Sequence, residues 1–126
     1  MLGILKSLLD NPQREAKRLN RDAAVIIDSA TKSMTAVRVR EIAVMTLEHL
    51  NEARAHLDEH SDDLDQLLAR FRQQHSEARR RMDQVSLTAY TLVIIYLRAS
   101  ALGEPAARAL QTIDEFTGQW AHAVEQ

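Results

Sequence analysis

"LTAYTLVIIYL", Leu87–Leu97, is the longest nearly uninterrupted apolar stretch of the chain, and Arg98 closes it. At about half of the roughly 20 residues that a bilayer crossing needs, it reads as a buried helix segment. The residues around it extend the pattern. Leu64, Leu67, Phe71, His75, Ala78, Met82, Val85, Ala89, Leu92, Tyr96 and Ala99 recur by threes and fours, the spacing of a long helix in a coiled-coil-like pair. With only three glycines and two prolines in 126 residues, few positions force a helix to end. The chain therefore reads as all-α.

A second long series runs upstream. Ala16, Leu19, Ala23, Ile26, Ala30, Met34 and Val37 recur by threes and fours, and Val39, Ile42, Ala43, Leu47, Leu50, Ala53 and Leu57 continue the pattern after a phase slip. The slip falls at "TKSMTA", Thr31–Ala36, where Ser33 and Thr35 offer the backbone competing hydrogen bonds. The spacing predicts one helix over 12–59 with a bend near 31–36, two helices divided there being the lesser alternative, and a further helix over 62–102. Asn11 caps the first and Pro12 suits its first position; Ser61 caps the second, ahead of Asp62, Asp63 and Asp65.

Folded back about His60 and Ser61, the two helices set "AAVIID", Ala23–Asp28, beside "TLVIIY", Thr91–Tyr96, so the richest apolar segments meet. Short helices complete the bundle: 2–10, with Leu2, Leu5, Leu8 and Leu9 on one side, and 105–124, opened by Pro105 after Gly103 ends the helix before it. The fold expected is an antiparallel helical hairpin with long helices, completed by N- and C-terminal helices into a four-helix-type bundle within a single domain. Its far end is a thin two-helix arm, which buries little apolar area by itself. A homodimer is the expected remedy. Residues 41–66 carry eight acids and one arginine, while residues 67–82 carry five arginines and one acid, so an acidic tip of one copy fits a basic middle of another.

Composition limits the function classes. The absence of cysteine excludes disulfides and thiolate ligands, and a net charge of −2 argues against a chain-wide nucleic-acid surface. "MLGILKSLLD" lacks the pattern of a signal peptide, which makes the cytoplasm the expected location. No glycine-rich phosphate loop, nucleophile elbow or HExxH is present, so no catalytic residue is motivated and no cofactor is implied.

Two clusters carry chemistry. In "LEHLNEARAHLDEHSDD", Leu47–Asp63, the residues His49, Glu52, His56, His60 and Asp63 share a helix face. His49, Glu52 and His56, with His75 from the opposing helix, are the candidate metal ligands, although paired Glu-x-x-His segments are missing and a hairpin tip is wet. Arg38, Arg40, Arg79, Arg80 and Arg81 form a basic middle suited to acidic surfaces or phosphates. Trp120 reads as a core plug, Tyr90 and Tyr96 as buried rings with hydroxyls at the edge, and Asp28 as a neighbour of Tyr90 or Thr91. The expected role is a protein-interaction module of adaptor, accessory or chaperone-like type; a nucleic-acid accessory protein and a metal-binding bundle are the alternatives.

Overall fold

The computed structural model describes residues 11–121. Among them the chain forms five α-helices: α1 (Pro12–Ser33), α2 (Ala36–Glu59), α3 (Leu64–Arg80), α4 (Gln84–Leu102) and α5 (Ala107–Ala121), with a 3₁₀ turn at Glu104–Ala106 before α5. The protein is an all-α bundle. The helix expected over 2–10 and the last residues of the one expected over 105–124 lie outside the described residues.

α1 starts as its sequence dictates. The Asn11 side-chain oxygen accepts from the amides of Gln13 and Arg14 at 2.9 and 3.2 Å, and Pro12 gives up no needed donor. The anticipated bend is instead a full break: Met34 and Thr35 are both extended, and Thr35 caps α2 by accepting from the Arg38 amide at 3.3 Å. Just before it, Thr31 and Ser33 donate their hydroxyls to the Asp28 and Ser29 carbonyls, the competition that weakens the last turn of α1. The cap on α3 also differs from expectation. Asp63, not Ser61, occupies it, and its carboxylate makes no bond to the helix amides.

The largest correction concerns residues 81–83. The helix expected over 62–102 is two antiparallel helices, because the chain reverses at Arg81–Asp83. The Asp83 amide bonds back to the Ala78 carbonyl at 2.9 Å and the Met82 amide to the Arg79 carbonyl at 3.1 Å, with Met82 left-handed at φ 58°. This is a Schellman ending built without glycine. Asp83 then caps α4, accepting from the Ser86 amide at 3.1 Å and the Ser86 hydroxyl at 2.7 Å.

The reversal places α3 against α4, so the thin arm does not exist, and the argument for a dimer that rested on it is removed. α4 is the hub of the bundle, packed by α1, α2, α3 and α5. Its buried residues Ser86, Ala89, Tyr90, Leu92, Val93, Ile95, Leu97 and Ala99 cover about 220° of the helix circumference, while Leu87, Thr91, Ile94 and Arg98 on the remaining side are half-buried. By length and composition this 19-residue helix is apolar enough to cross a membrane; here eight of its residues are buried, and Val85, Leu87, Ile94, Tyr96 and Leu102 are partly buried against the core. Ile42 and Leu50 of α2, Phe71 of α3, Leu92 of α4 and Ile113 of α5 are the largest fully enclosed side chains. Truncating any one to alanine costs about 2–5 kcal/mol.

Two polar clamps close the remaining interfaces. Asn20 of α1 bridges to the start of α5, donating to the Pro105 carbonyl at 3.1 Å and accepting from the Ala109 amide at 2.8 Å. Glu15 of α1 is held between Arg18, at 2.6 Å, and Arg98 of α4.

Candidate functional site

The histidines of α2 are dispersed by the fold rather than gathered. His49 turns inward between three helices, edge-on to Phe71 of α3 with ring centroids 5.7 Å apart and tilted against Tyr90 of α4 at 5.2 Å. Its Nδ1 is buried and has no hydrogen-bond partner among the described residues, the Glu52 carboxylate standing off at 3.8 Å. Glu52 also lies 3.9 Å from Arg70. His56 faces the α2–α3 turn, its Nε2 2.9 Å from the Asp63 carboxylate and its ring 5.0 Å from that of His60. His75 is half-buried on α3; burial, with the Arg79 guanidinium adding to it, holds its imidazole below the ordinary range.

No group of three or more His, Cys, Asp or Glu side chains among the described residues is placed to hold a metal ion, so His49, Glu52, His56 and His75 do not form the expected set. The physical reason is competition. The His49 ring is committed to packing against Phe71 and Tyr90, and the Asp63 carboxylate, freed from capping, pairs with His56 Nε2.

Two further sequence expectations change place. Asp28 pairs with Lys32 at 3.0 Å and, with Ile27, Phe116 and Trp120, lines a hollow of about 430 Å³ between α1 and α5, away from Tyr90 and Thr91. Trp120 is only half-buried there, leaning on the core instead of plugging it. Tyr96 behaves as expected, ring packed and hydroxyl at the edge. That hydroxyl accepts from Arg54 at 2.5 Å and donates to Asp114 at 3.3 Å, joining α2, α4 and α5. Burial, opposed by Arg54, pushes its phenol above the ordinary range.

The basic residues are sorted by the helices that carry them. Arg79 and Arg80 end α3 and Arg81 begins the turn, all exposed. Arg38, in the first turns of α2, borders the same region: with Glu41 and Met82–Ser86 it lines a hollow of about 400 Å³ between α2 and the α3–α4 turn. Four of the five expected arginines thus stand at one end of the bundle. Arg40 does not join them. Two residues along a helix is about 200° of rotation, and Arg40 lies on another face with Val37, Val44, Met45 and Glu48.

The residue that sequence reasoning missed is Met82. Its place in the apolar series suggested core, whereas it is 82% exposed, the most exposed large apolar side chain among those described. Asp83 spaced three residues before Ser86 was the available signal, a helix start in mid-series. Asp83 is itself stabilised as a carboxylate by the Ser86 hydroxyl and amide and then by Arg81, which lowers its pKa.

Comparison with known protein families, curated proteins and solved structures returns no match for this chain.

Proposed function

We propose that the protein is a small cytoplasmic interaction module, of adaptor or accessory type, whose contact surface is the cationic corner made by Arg38, Arg79, Arg80, Arg81 and Met82. The observation that supports it most is the conformation of Met82. A left-handed non-glycine residue costs about 1–2 kcal/mol, and a methionine side chain held 82% in water gains nothing from the fold in return. A strained, exposed, apolar and flexible side chain ringed by arginines suits a partner that brings acidic groups and an apolar socket. The arginines fork onto carboxylates while the thioether is withdrawn from water.

The runner-up is a nucleic-acid accessory role for the same arginines. It is the weaker reading because no aromatic side chain stands among the residues of this corner to stack on a base: Phe71, Tyr90 and Phe116 are buried, Tyr96 is engaged with Arg54, and Trp120 lies in the α1–α5 hollow.

One titration separates the two. Acidic, apolar-containing peptides and a random-sequence duplex are each followed by fluorescence anisotropy at low and high salt. Saturable peptide binding that weakens about tenfold or more on replacing Arg79, Arg80 and Arg81 by alanine, and again with Met82→Ser, supports the adaptor reading. Binding to the duplex alone, with steep salt dependence and no effect of Met82→Ser, selects the nucleic-acid reading. Binding to neither rejects the corner as a contact surface.

A further inference from the structure

The outward face of α2, opposite its buried residues Val39, Ile42, Ala43, Thr46, Leu50 and Ala53, carries a second surface, which shares Glu41 with the hollow at the cationic corner. Val37, Arg40, Glu41, Val44, Met45 and Glu48 line a shallow hollow of about 390 Å³ along it. Val37 is 58% exposed, and Val44 is half-buried on the solvent side of the helix. The Nε of Arg40 is buried and has no hydrogen-bond partner among the described residues. An orphaned guanidinium donor is destabilising until an acceptor reaches it.

We propose that this face pairs with the same face of a second copy, antiparallel about a two-fold axis at Val44, so that the Arg40 guanidinium meets the Glu48 carboxylate of the other copy in both halves of the interface. The sequence of the face is self-complementary in that register. Val44 meets its own equivalent on the axis. Arg40 and Glu48 lie four residues to either side of it, so the two-fold generates two Arg–Glu pairs from one. A carboxylate so placed meets the Arg40 guanidinium from the solvent side.

Charge favours the same orientation. A parallel alignment of the same face would set Arg40 against Arg40 and Glu48 against Glu48, like charge on like, whereas the antiparallel one sets Arg40 against Glu48 twice. The segment from Arg40 to Glu48, symmetric about Val44, spans about 12 Å at 1.5 Å per residue, a little over two helical turns of contact. Nothing in this arrangement uses Arg79, Arg80, Arg81 or Met82, so the pairing can be tested independently of the corner.

The full chain is examined by sedimentation equilibrium and light scattering, with circular dichroism to verify folding. A species of twice the chain mass is expected. Glu48→Arg, at an exposed position, sets two arginine pairs face to face and is expected to weaken the dimer by about 100-fold, with Val44→Lys weakening it at least as much. The exchange Arg40→Glu with Glu48→Arg restores opposite charges in both pairs and is expected to recover association to within about tenfold of the parent chain. A monomeric parent chain overturns the proposal. So does a dimer indifferent to Glu48→Arg and Val44→Lys, which would place self-association elsewhere on the molecule.

Discussion

Asn20 and Ala109, 89 residues apart in the chain, are joined by a hydrogen bond of 2.8 Å from the Ala109 amide to the Asn20 side-chain oxygen. The amide belongs to the first turn of α5, where the helix supplies no acceptor of its own. Asn20 therefore acts as a cap delivered from a distant helix, while its amide nitrogen holds the Pro105 carbonyl at 3.1 Å. Asn20→Ala is expected to lower stability by about 1–2 kcal/mol, read as a shift in the urea midpoint at unchanged slope. Asn20→Asp keeps the acceptor and loses the donor, so it should fall between the two. Equality of Asn20→Ala with the parent chain would show that water replaces both bonds.

Met82 separates stability from recognition. Glycine adopts its backbone conformation without the side-chain clash, so Met82→Gly is expected to stabilise the bundle by up to about 1 kcal/mol, while Met82→Val, β-branched at positive φ, should destabilise it by a similar amount. If the corner binds as proposed, Met82→Gly also weakens the acidic peptide. A variant more stable and less competent is the pattern of a residue kept for contact; thermal unfolding and peptide titration on the same sample read both.

The uneven legibility of the fold has one physical origin: apolar spacing reports which residues are inside, and only capping chemistry reports where the chain turns. The apolar content of α4, the Asn11–Pro12 start of α1 and the Gly103 stop of α4 carry both signals and were readable. At Met82 the apolar series continues through Ala78, Met82 and Val85 although the backbone reverses, and no glycine marks the left-handed residue. Continuity of pattern thus suggested an extended hairpin where there is a folded one. The basic cluster was readable as composition, and the separation of Arg40 from Arg38 follows from helical rotation alone, but that Arg38 joins Arg79–Arg81 depends on the reversal at Asp83. The histidine face was readable as a face, yet its orientation toward Phe71 and Tyr90 required knowing that α3 folds onto α4.

Acid stability should fall in two stages. His75 has a folded pKa below its ordinary 6.5, so the unfolded chain takes up that proton first. Its contribution is whole above about 6.5 and declines as pH falls through the folded value. Asp83 has a folded pKa below its ordinary 3.8, so its contribution is present above that value and disappears at still lower pH. In urea titrations across the acid range, His75→Gln is expected to flatten the first stage and Asp83→Asn, which keeps a capping oxygen, the second. A first stage unchanged in His75→Gln would show that His75 is not its source.

Tyr96 ties three helices through one oxygen. Arg54 donates to it at 2.5 Å with its guanidinium carbon 4.8 Å from the centre of the Tyr96 ring, and Asp114 accepts from it at 3.3 Å. The direct Arg54–Asp114 contact is long, 3.4 Å, between half-exposed side chains, so the pair by itself adds little. The phenol is the better joint. Tyr96→Phe is expected to cost about 1 kcal/mol, and a double-mutant cycle of Tyr96→Phe with Arg54→Ala should give a coupling of about 0.5–1.5 kcal/mol. The alkaline limb adds a second readout. Because burial, partly offset by Arg54, raises the folded pKa of Tyr96 above its ordinary 10, its contribution is whole below 10 and is lost as pH rises through the folded value. Tyr96→Phe should therefore be less stable than the parent chain at neutral pH and converge toward it in strong alkali. Parallel curves for the two proteins above pH 10 would mean that the Tyr96 hydroxyl titrates alike folded and unfolded, and the joint would then be packing of the ring alone.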